Sequence, residues 1–317
     1  VDHLENEIKH LKEENERLKN RPMPEEEDEN FNKVTTQQKK SKSKPPENDR
    51  PPANDEQIEK LKVELKDKTI VVTGGASGIG REMCRRFHRE GAKNVVVADL
   101  NFEDATSVAE EINGIAREVD VSAENDIVEL IDFTEANLGP IDLFCSNAGI
   151  GLGRDIDEPD EVWEKIWHVN TMSHVWAARK LVPIMEKRGG GYLLSTASAA
   201  GLLSQIGSVT YAVTKHAAVA LAEWLAITYG ERGIKVSVLC PQAVRTAMTA
   251  GGAGVAAVDG MIEPDIAVDA VVETIREERF LVLPHPEVAE YIKRKTSDYD
   301  RWIAGMRRLQ RTFSESQ

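Results

Sequence analysis

From Leu65 onward the hydrophobic positions fall into short continuous runs separated by stretches of helical periodicity. The runs are "KTIVVTGG", "NVVVADL", "AREVDV", "IDLFCSNAG", "GGYLLSTAS", "IKVSVLCP" and "FLVLP". They are apolar throughout, as expected of strands covered on both faces. Helical spacing between them predicts helices over 79–90, 103–112 and 123–138, and another through Tyr211. Strands alternating with helices, joined by right-handed crossovers, give an α/β fold with a doubly wound parallel sheet of Rossmann type in a single domain, over 61–317. The C-terminal "PEVAEYIKRKTSDYDRWIAGMRRLQRTF" reads as amphipathic helix.

Upstream of the sheet the pattern changes twice. Residues 1–20, "VDHLENEIKHLKEENERLKN", repeat in heptads, with Val1, Ile8 and Asn15 at a and Leu4, Leu11 and Leu18 at d. Glu7 and Glu14 at g face Lys12 and Lys19 at e, so a parallel two-stranded register is favoured. This segment resembles a leucine zipper; no basic region precedes it, so DNA binding does not carry over. A frayed surface helix or an appended fusion segment are the competing readings. Residues 21–60 are acidic, then basic, polar and proline-rich, with Phe31 the lone aromatic, and are expected to form a disordered tether. "KKSKSK" within it reads as solvated linker ahead of a nuclear-import patch.

Composition narrows the class. A chain of 317 residues, 41% of them hydrophobic and 30% charged, can bury a sizeable core and remain soluble. Its net charge of −14 argues against general nucleic-acid affinity. Cys84, Cys145 and Cys240 lie far apart in apolar contexts without metal-ligand spacing, and read as reduced core residues. No apolar run suits a membrane span or a signal peptide, so the expectation is a cytoplasmic protein.

The chemistry begins at "TGGASGIG" between the first strand and first helix, residues 73–80. Gly74, Gly78 and Gly80 permit a tight turn and the approach of a pyrophosphate to backbone N–H groups at a helix N-terminus. Asp99 ends the second strand 19 residues after Gly80, where a carboxylate receives ribose hydroxyls. Leu100 brings no positive charge for a 2′-phosphate, so NAD is expected over NADP; a helix N-cap is the lesser reading of Asp99. Tyr211 and Lys215, four apart in a nearly apolar helix, share one face.

With the spacing TGxxxGxG the chain resembles the short-chain dehydrogenase/reductase family over roughly 65–283. "SNAG", residues 146–149, matches the family's NNAG element, with Ser146 for its first Asn. "STASAAG" puts Ser198 thirteen residues before Tyr211, and "YAVTK" matches YxxxK. The resemblance implies cofactor contacts from Gly74, Ser77, Gly78, Ile79, Gly80, Asp99, Leu100, Asp120, Val121, Asn147, Ala148, Gly149, Tyr211, Lys215, Pro241 and Thr246. It also implies hydride transfer between NAD and an alcohol or ketone.

In that reaction Tyr211 would be the acid/base. A free phenol near ~10 must fall roughly three units, about 4 kcal/mol of preferential phenolate stabilisation. Lys215 and the positive nicotinamide would supply it. Ser198 would hold the substrate oxygen together with Tyr211, and Asn170 a relay water leading through Lys215. Structurally, Ser198 would cap a turn and Asn170 bridge a helix kink.

Two departures bear on the substrate. The family's Pro-Gly is Pro241-Gln242 here, so Gln242 narrows or polarises the pocket, and "TAGGAGVAAVDGM" is a small-residue lid without a charged anchor. Ile150, Leu152, Leu203 and Met248 make apolar walls, favouring a hydrophobic secondary alcohol or ketone. The tail either covers the pocket through Trp302 and Met306, packs between subunits, or is an ordinary surface helix. A homodimer or homotetramer is expected, through the Tyr211 helix. Two rivals remain: a silent NAD-binding sensor, opposed by the intact Ser198, Tyr211 and Lys215, and a zipper-directed assembly or transcription-related protein, opposed by the missing basic region.

Overall fold

The structure is a computed structural model that describes residues 64–314. The zipper expected over 1–20 and the tether expected over 21–60 lie outside the described residues.

The chain runs β1 (Thr69–Thr73), α1 (Gly78–Arg89), β2 (Asn94–Asp99), α2 (Phe102–Glu111), β3 (Ile115–Glu118), α3 (Glu124–Asn137) and β4 (Leu143–Ser146). It continues through α4 (Asp160–Trp167), a π-helical turn (His168–Met172), α5 (Ser173–Lys187), β5 (Gly191–Thr196), α6 (Val209–Tyr229) and β6 (Ile234–Leu239). Last come α7 (Pro264–Arg276), β7 (Leu281–Val282), α8 (Glu287–Ser297) and α9 (Tyr299–Ser314). The predicted helices at 79–90, 103–112 and 123–138 are present, the first two displaced by one residue and the third one residue shorter at each end. Asn101, whose side chain accepts from Asp104 N at 3.2 Å, starts α2. The cap is therefore Asn101, not Asp99.

All seven strands are parallel, in the order β3-β2-β1-β4-β5-β6-β7. Alternate side chains of each strand enter opposite layers. Ile70 and Val72 pack with Met83 and Phe87 of α1, Val108 of α2 and Val271 and Ile275 of α7. Val71 and Phe144 pack on the other face with Ile131 of α3, Leu181 and Met185 of α5 and Ala218 and Ala222 of α6. Burial on both sides explains why the strands read as unbroken apolar runs. Strand order reverses between β1 and β4, which opens a crevice beyond their C-terminal ends.

The tail is not continuous. Asp298, extended at φ −157° and ψ 95°, separates α8 from α9. Val288 on α8 is buried with Ala199 and Leu203, and Leu202, Tyr291, Ile292 and Trp302 pack around them. This part of the tail thus lies on the segment that follows Ser198. Cys84, Cys145 and Cys240 are free and buried, as expected. Among the described residues no helix is long and apolar enough to cross a membrane.

Candidate active site

The crevice is lined at its floor by the turn after β1. Gly74 sits at φ +64°, and a Cβ there would meet Ala148 Cα at 2.9 Å. At Gly80 a Cβ would stand 2.0 Å from Gly74 O, so the turn closes only without side chains. Ser77 begins α1 without a side-chain cap, and the first turn, including Ile79, carries no acid. Such a helix start fits a pyrophosphate.

Asn147 ties the neighbouring strand ends together. Its Nδ2 donates to Thr73 O (3.0 Å), its Oδ1 accepts from Thr196 Oγ1 (3.1 Å), and its N–H donates to Thr73 Oγ1 (3.0 Å). Ala148 N also reaches Thr73 Oγ1, at 3.2 Å. Thr73 and Thr196 were not assigned as site residues in the sequence; their signal is a threonine closing each of two apolar runs.

At the end of β2, Asp99 Oδ2 accepts from Ala76 N (3.0 Å) and Oδ1 from Asn101 N (3.1 Å). The carboxylate is thereby aimed beside the glycine turn. Leu100 is exposed. Asp120 forms a tight turn in which Oδ1 accepts from Ser122 N (2.8 Å) and Oγ (2.6 Å), while Val121 is buried. Across the turn, Thr246 Cγ2 lies 3.0 Å from where a Cβ on Gly78 would be.

The remaining groups stand on α6 and its neighbours. Against the effect of burial, Ser198 lowers the Tyr211 phenol, and Ser198 Oγ accepts from Ala200 N at 3.1 Å. Pro241 O accepts from Ala199 N at 2.9 Å and more weakly from Ser198 Oγ at 3.4 Å. Ser198 therefore caps a turn and still addresses Tyr211. Lys215 is 2% exposed and donates to Thr196 O at 3.0 Å. A Cβ on Gly149 would lie 3.2 Å from Lys215 Nζ and 3.3 Å from Asn170 Oδ1, so this glycine makes room for both.

Two features bear on the expected chemistry. Burial is the largest influence on Tyr211 and raises its phenol above the ordinary value, while Ser198 opposes it. Lys215 is itself depressed by burial to about 8. Burial by itself favours the neutral phenol. The Asn170 carboxamide, in turn, is occupied: Oδ1 accepts from Ile150 N (2.9 Å), and Nδ2 donates to Ile150 O (2.9 Å) and Thr214 Oγ1 (3.2 Å). It sits in the π-helical turn, a distortion frequent at functional sites, and clamps the loop after β4.

Of the expected apolar walls, Leu203 is buried against α8, Ile150 and Leu152 are half-buried, and Met248 is 53% exposed. His174, buried on the first turn of α5 with both ring nitrogens unpaired, drew no attention in the sequence. Burial, and secondarily the charge of Lys215, push it down to about 3.

The fold and its relatives define the class, an oxidoreductase acting on CH–OH groups. Residues 68–253 match the short chain dehydrogenase family, and the chain belongs to it. It is 33% identical to a 7alpha-hydroxysteroid dehydrogenase of Escherichia coli K12, over 57% of this chain and 73% of that protein. It is 32% identical to a 1-deoxy-11-beta-hydroxypentalenate dehydrogenase of Streptomyces exfoliatus, over 76% of this chain and 91% of that one. A short chain dehydrogenase/reductase from Burkholderia phymatum in complex with NAD superposes with a TM-score of 0.69 at 26% identity, covering 75% of this chain and 96% of that one.

Proposed function

We propose that this chain interconverts a hydrophobic secondary alcohol and its ketone, with NAD as cofactor and Tyr211 as acid/base. The observation that carries the reading is the buried Lys215 ammonium 5.7 Å from the centre of the Tyr211 ring, with Ser198 acting on the same phenol. NAD supplies the hydride acceptor, or in reduced form the donor. Gly74, Ser77, Gly78, Ile79 and Gly80 would seat its pyrophosphate, Asp99 its adenosine ribose, Asp120 and Val121 its adenine. The nicotinamide half would lie along Asn147, Ala148 and Gly149, with Pro241 and Thr246 over it.

Ser198 would donate to the substrate oxygen and stabilise charge developing there. Tyr211 would move the proton at that same oxygen. Burial raises its phenol, so the stabilisation that phenolate requires exceeds the ~4 kcal/mol of an exposed tyrosine at neutral pH. Positive charge in a dry site is worth far more than in water, and Lys215 is placed to provide it. Asn170 would fix the loop carrying Ile150, and thereby the pocket wall.

A ring-bearing substrate fits the apolar residues Ile150, Leu152 and Leu203, and the hydroxysteroid and hydroxypentalenate named for the relatives belong to that class. Following absorbance at the NADH band with a panel of steroid and terpenoid alcohols and ketones tests the proposal. Turnover with NAD(H) is expected; failure on every alcohol and ketone would leave the silent-sensor reading in its place. A soluble homo-oligomer is the matching assembly, argued below from exposed residues of α6.

A further inference from the structure

The segment between Thr246 and Ile262 leaves β6 and returns beside it. Its base is clamped: Val244 bridges Ile262, Arg245 N donates to Ile262 O (2.9 Å), and Ile262 N donates to Ala243 O (3.2 Å). Its body is loosely held, with Ala256 O accepting from Ala243 N at 3.1 Å. No residue from 247 to 262 is buried, and Gly251, Gly252, Gly254 and Gly260 border open space. Such a loop holds one conformation only through a few polar anchors.

Asp259 is the anchor that joins separate elements. Its Oδ2 accepts from Gln242 Nε2 at 3.0 Å, and its Oδ1 accepts from Tyr291 Oη at 2.9 Å. Gln242 follows Pro241, whose carbonyl takes the Ala199 N–H next to Ser198. Tyr291 stands on α8, which covers Ala199 and Leu203 through Val288 and donates from Lys295 Nζ to Leu202 O at 2.6 Å. The carboxylate thus spans two elements that both bear on the serine segment.

Gln242 is suited to this link. Its N–H donates to His285 Nδ1 at 3.2 Å, and His285 is buried. Its Oε1 is buried without a partner, so the amide reaches out through Nε2 toward Asp259. The glycine usual in the family at this position has no side chain to make that bond. Burial, reinforced by Asp259, raises the Tyr291 phenol, which stays protonated and remains a donor.

We propose that Asp259 is a positioning residue that latches the 247–262 loop across the substrate side of the site, through Gln242 in the segment after β6 and Tyr291 on α8. It touches neither cofactor nor reacting atoms and acts by holding a wall in place. The latch is a property of the loop; only its effect on substrate rests on the oxidoreductase reading.

Two readouts test it on the full chain. Thermolysin, which cuts before apolar residues such as Met248, Val255 and Val258, reports loop opening without any substrate. Asp259→Ala is expected to speed cleavage within 247–262 by ~10-fold, with Tyr291→Phe and Gln242→Gly giving intermediate rates. In the NADH assay, KM for a ring-bearing ketone should rise several-fold in Asp259→Ala and Tyr291→Phe. Under the same conditions kcat stays within twofold and NADH affinity by fluorescence is unchanged. Cleavage by thermolysin at the wild-type rate in Asp259→Ala would overturn the latch whatever the enzyme does. Faster cleavage with an unchanged KM would overturn its role toward substrate. Absence of turnover in the wild type would count against the proposed function and leave the proteolysis result to decide the latch.

Discussion

The ammonium of Lys215 lies 5.7 Å from the centre of the Tyr211 ring and donates to the carbonyl of Thr196. The ammonium lies beside the ring, yet it is held by backbone and not by the phenol itself. In the proposed reaction, proton transfer at the substrate oxygen would fall to Tyr211. Tyr211→Phe keeps the ring and removes the titrating oxygen. Turnover is expected to fall ~10²-fold or more while NADH affinity stays within about twofold. Residual turnover near wild type would mean that another group handles the proton.

In the proposed reading Asp99 would decide between the two nicotinamide cofactors. Fixed by Ala76 N and Asn101 N, its carboxylate cannot swing away from a 2′-phosphate, and exposed Leu100 offers no compensating charge. Fluorescence titration should show NAD(H) binding at least ~10-fold tighter than NADP(H), since like charges at close range repel by a kcal/mol or more. Asp99→Ala should narrow that gap mainly by weakening NAD(H). Equal affinities in the wild type would contradict the assignment.

Much of this was legible before folding because parallel strands are buried on both faces and print continuous apolar runs. The motif residues stand at strand ends and one helix face, so order and spacing carried them. Other features had no local signal. The π-helical turn at His168–Met172 interrupts the 3.6-residue period between α4 and α5, so neither helix was separately delimited. One extended residue, Asp298, divides the tail. The direction of the Tyr211 shift depends on how much water folding removes, which sequence spacing does not contain. Asp259 lies in a glycine-rich loop, and its partners are 17 and 32 residues away.

His174 makes acid stability a test of its environment. Its folded value near 3 lies below the ordinary 6.5, so the unfolded chain binds more protons between those values. Stability present above pH 6.5 is therefore lost as pH falls toward 3, by about 2 kcal/mol between pH 6.5 and 5. Lys215 is protonated in both states across that window and adds no slope. His174→Leu also removes two unpaired buried nitrogens, whose burial costs ~1–3 kcal/mol. Thermal melts should show a higher Tm for His174→Leu and a flatter decline from pH 6.5 to 5. An unchanged slope would show that His174 is not what acid titrates.

The last prediction concerns assembly. Helix α6 leaves Val213, Trp224 and Ile227 exposed at 44%, 55% and 83%. Val213 and Trp224 are about three helical turns apart and Ile227 lies nearly one turn further, so all three share a stripe. A stripe of this kind suits an isologous contact with the same helix of a second copy. Trp224→Lys combined with Ile227→Glu should shift the species seen by light scattering to a smaller one, with the fold by circular dichroism unchanged. Deleting residues 1–60 should leave both oligomeric state and activity as in the full chain, since an enzyme-borne contact does not need the heptad segment. A monomeric deletion variant would transfer the assembly to the heptads, and α6 would then be a face that carries no partner.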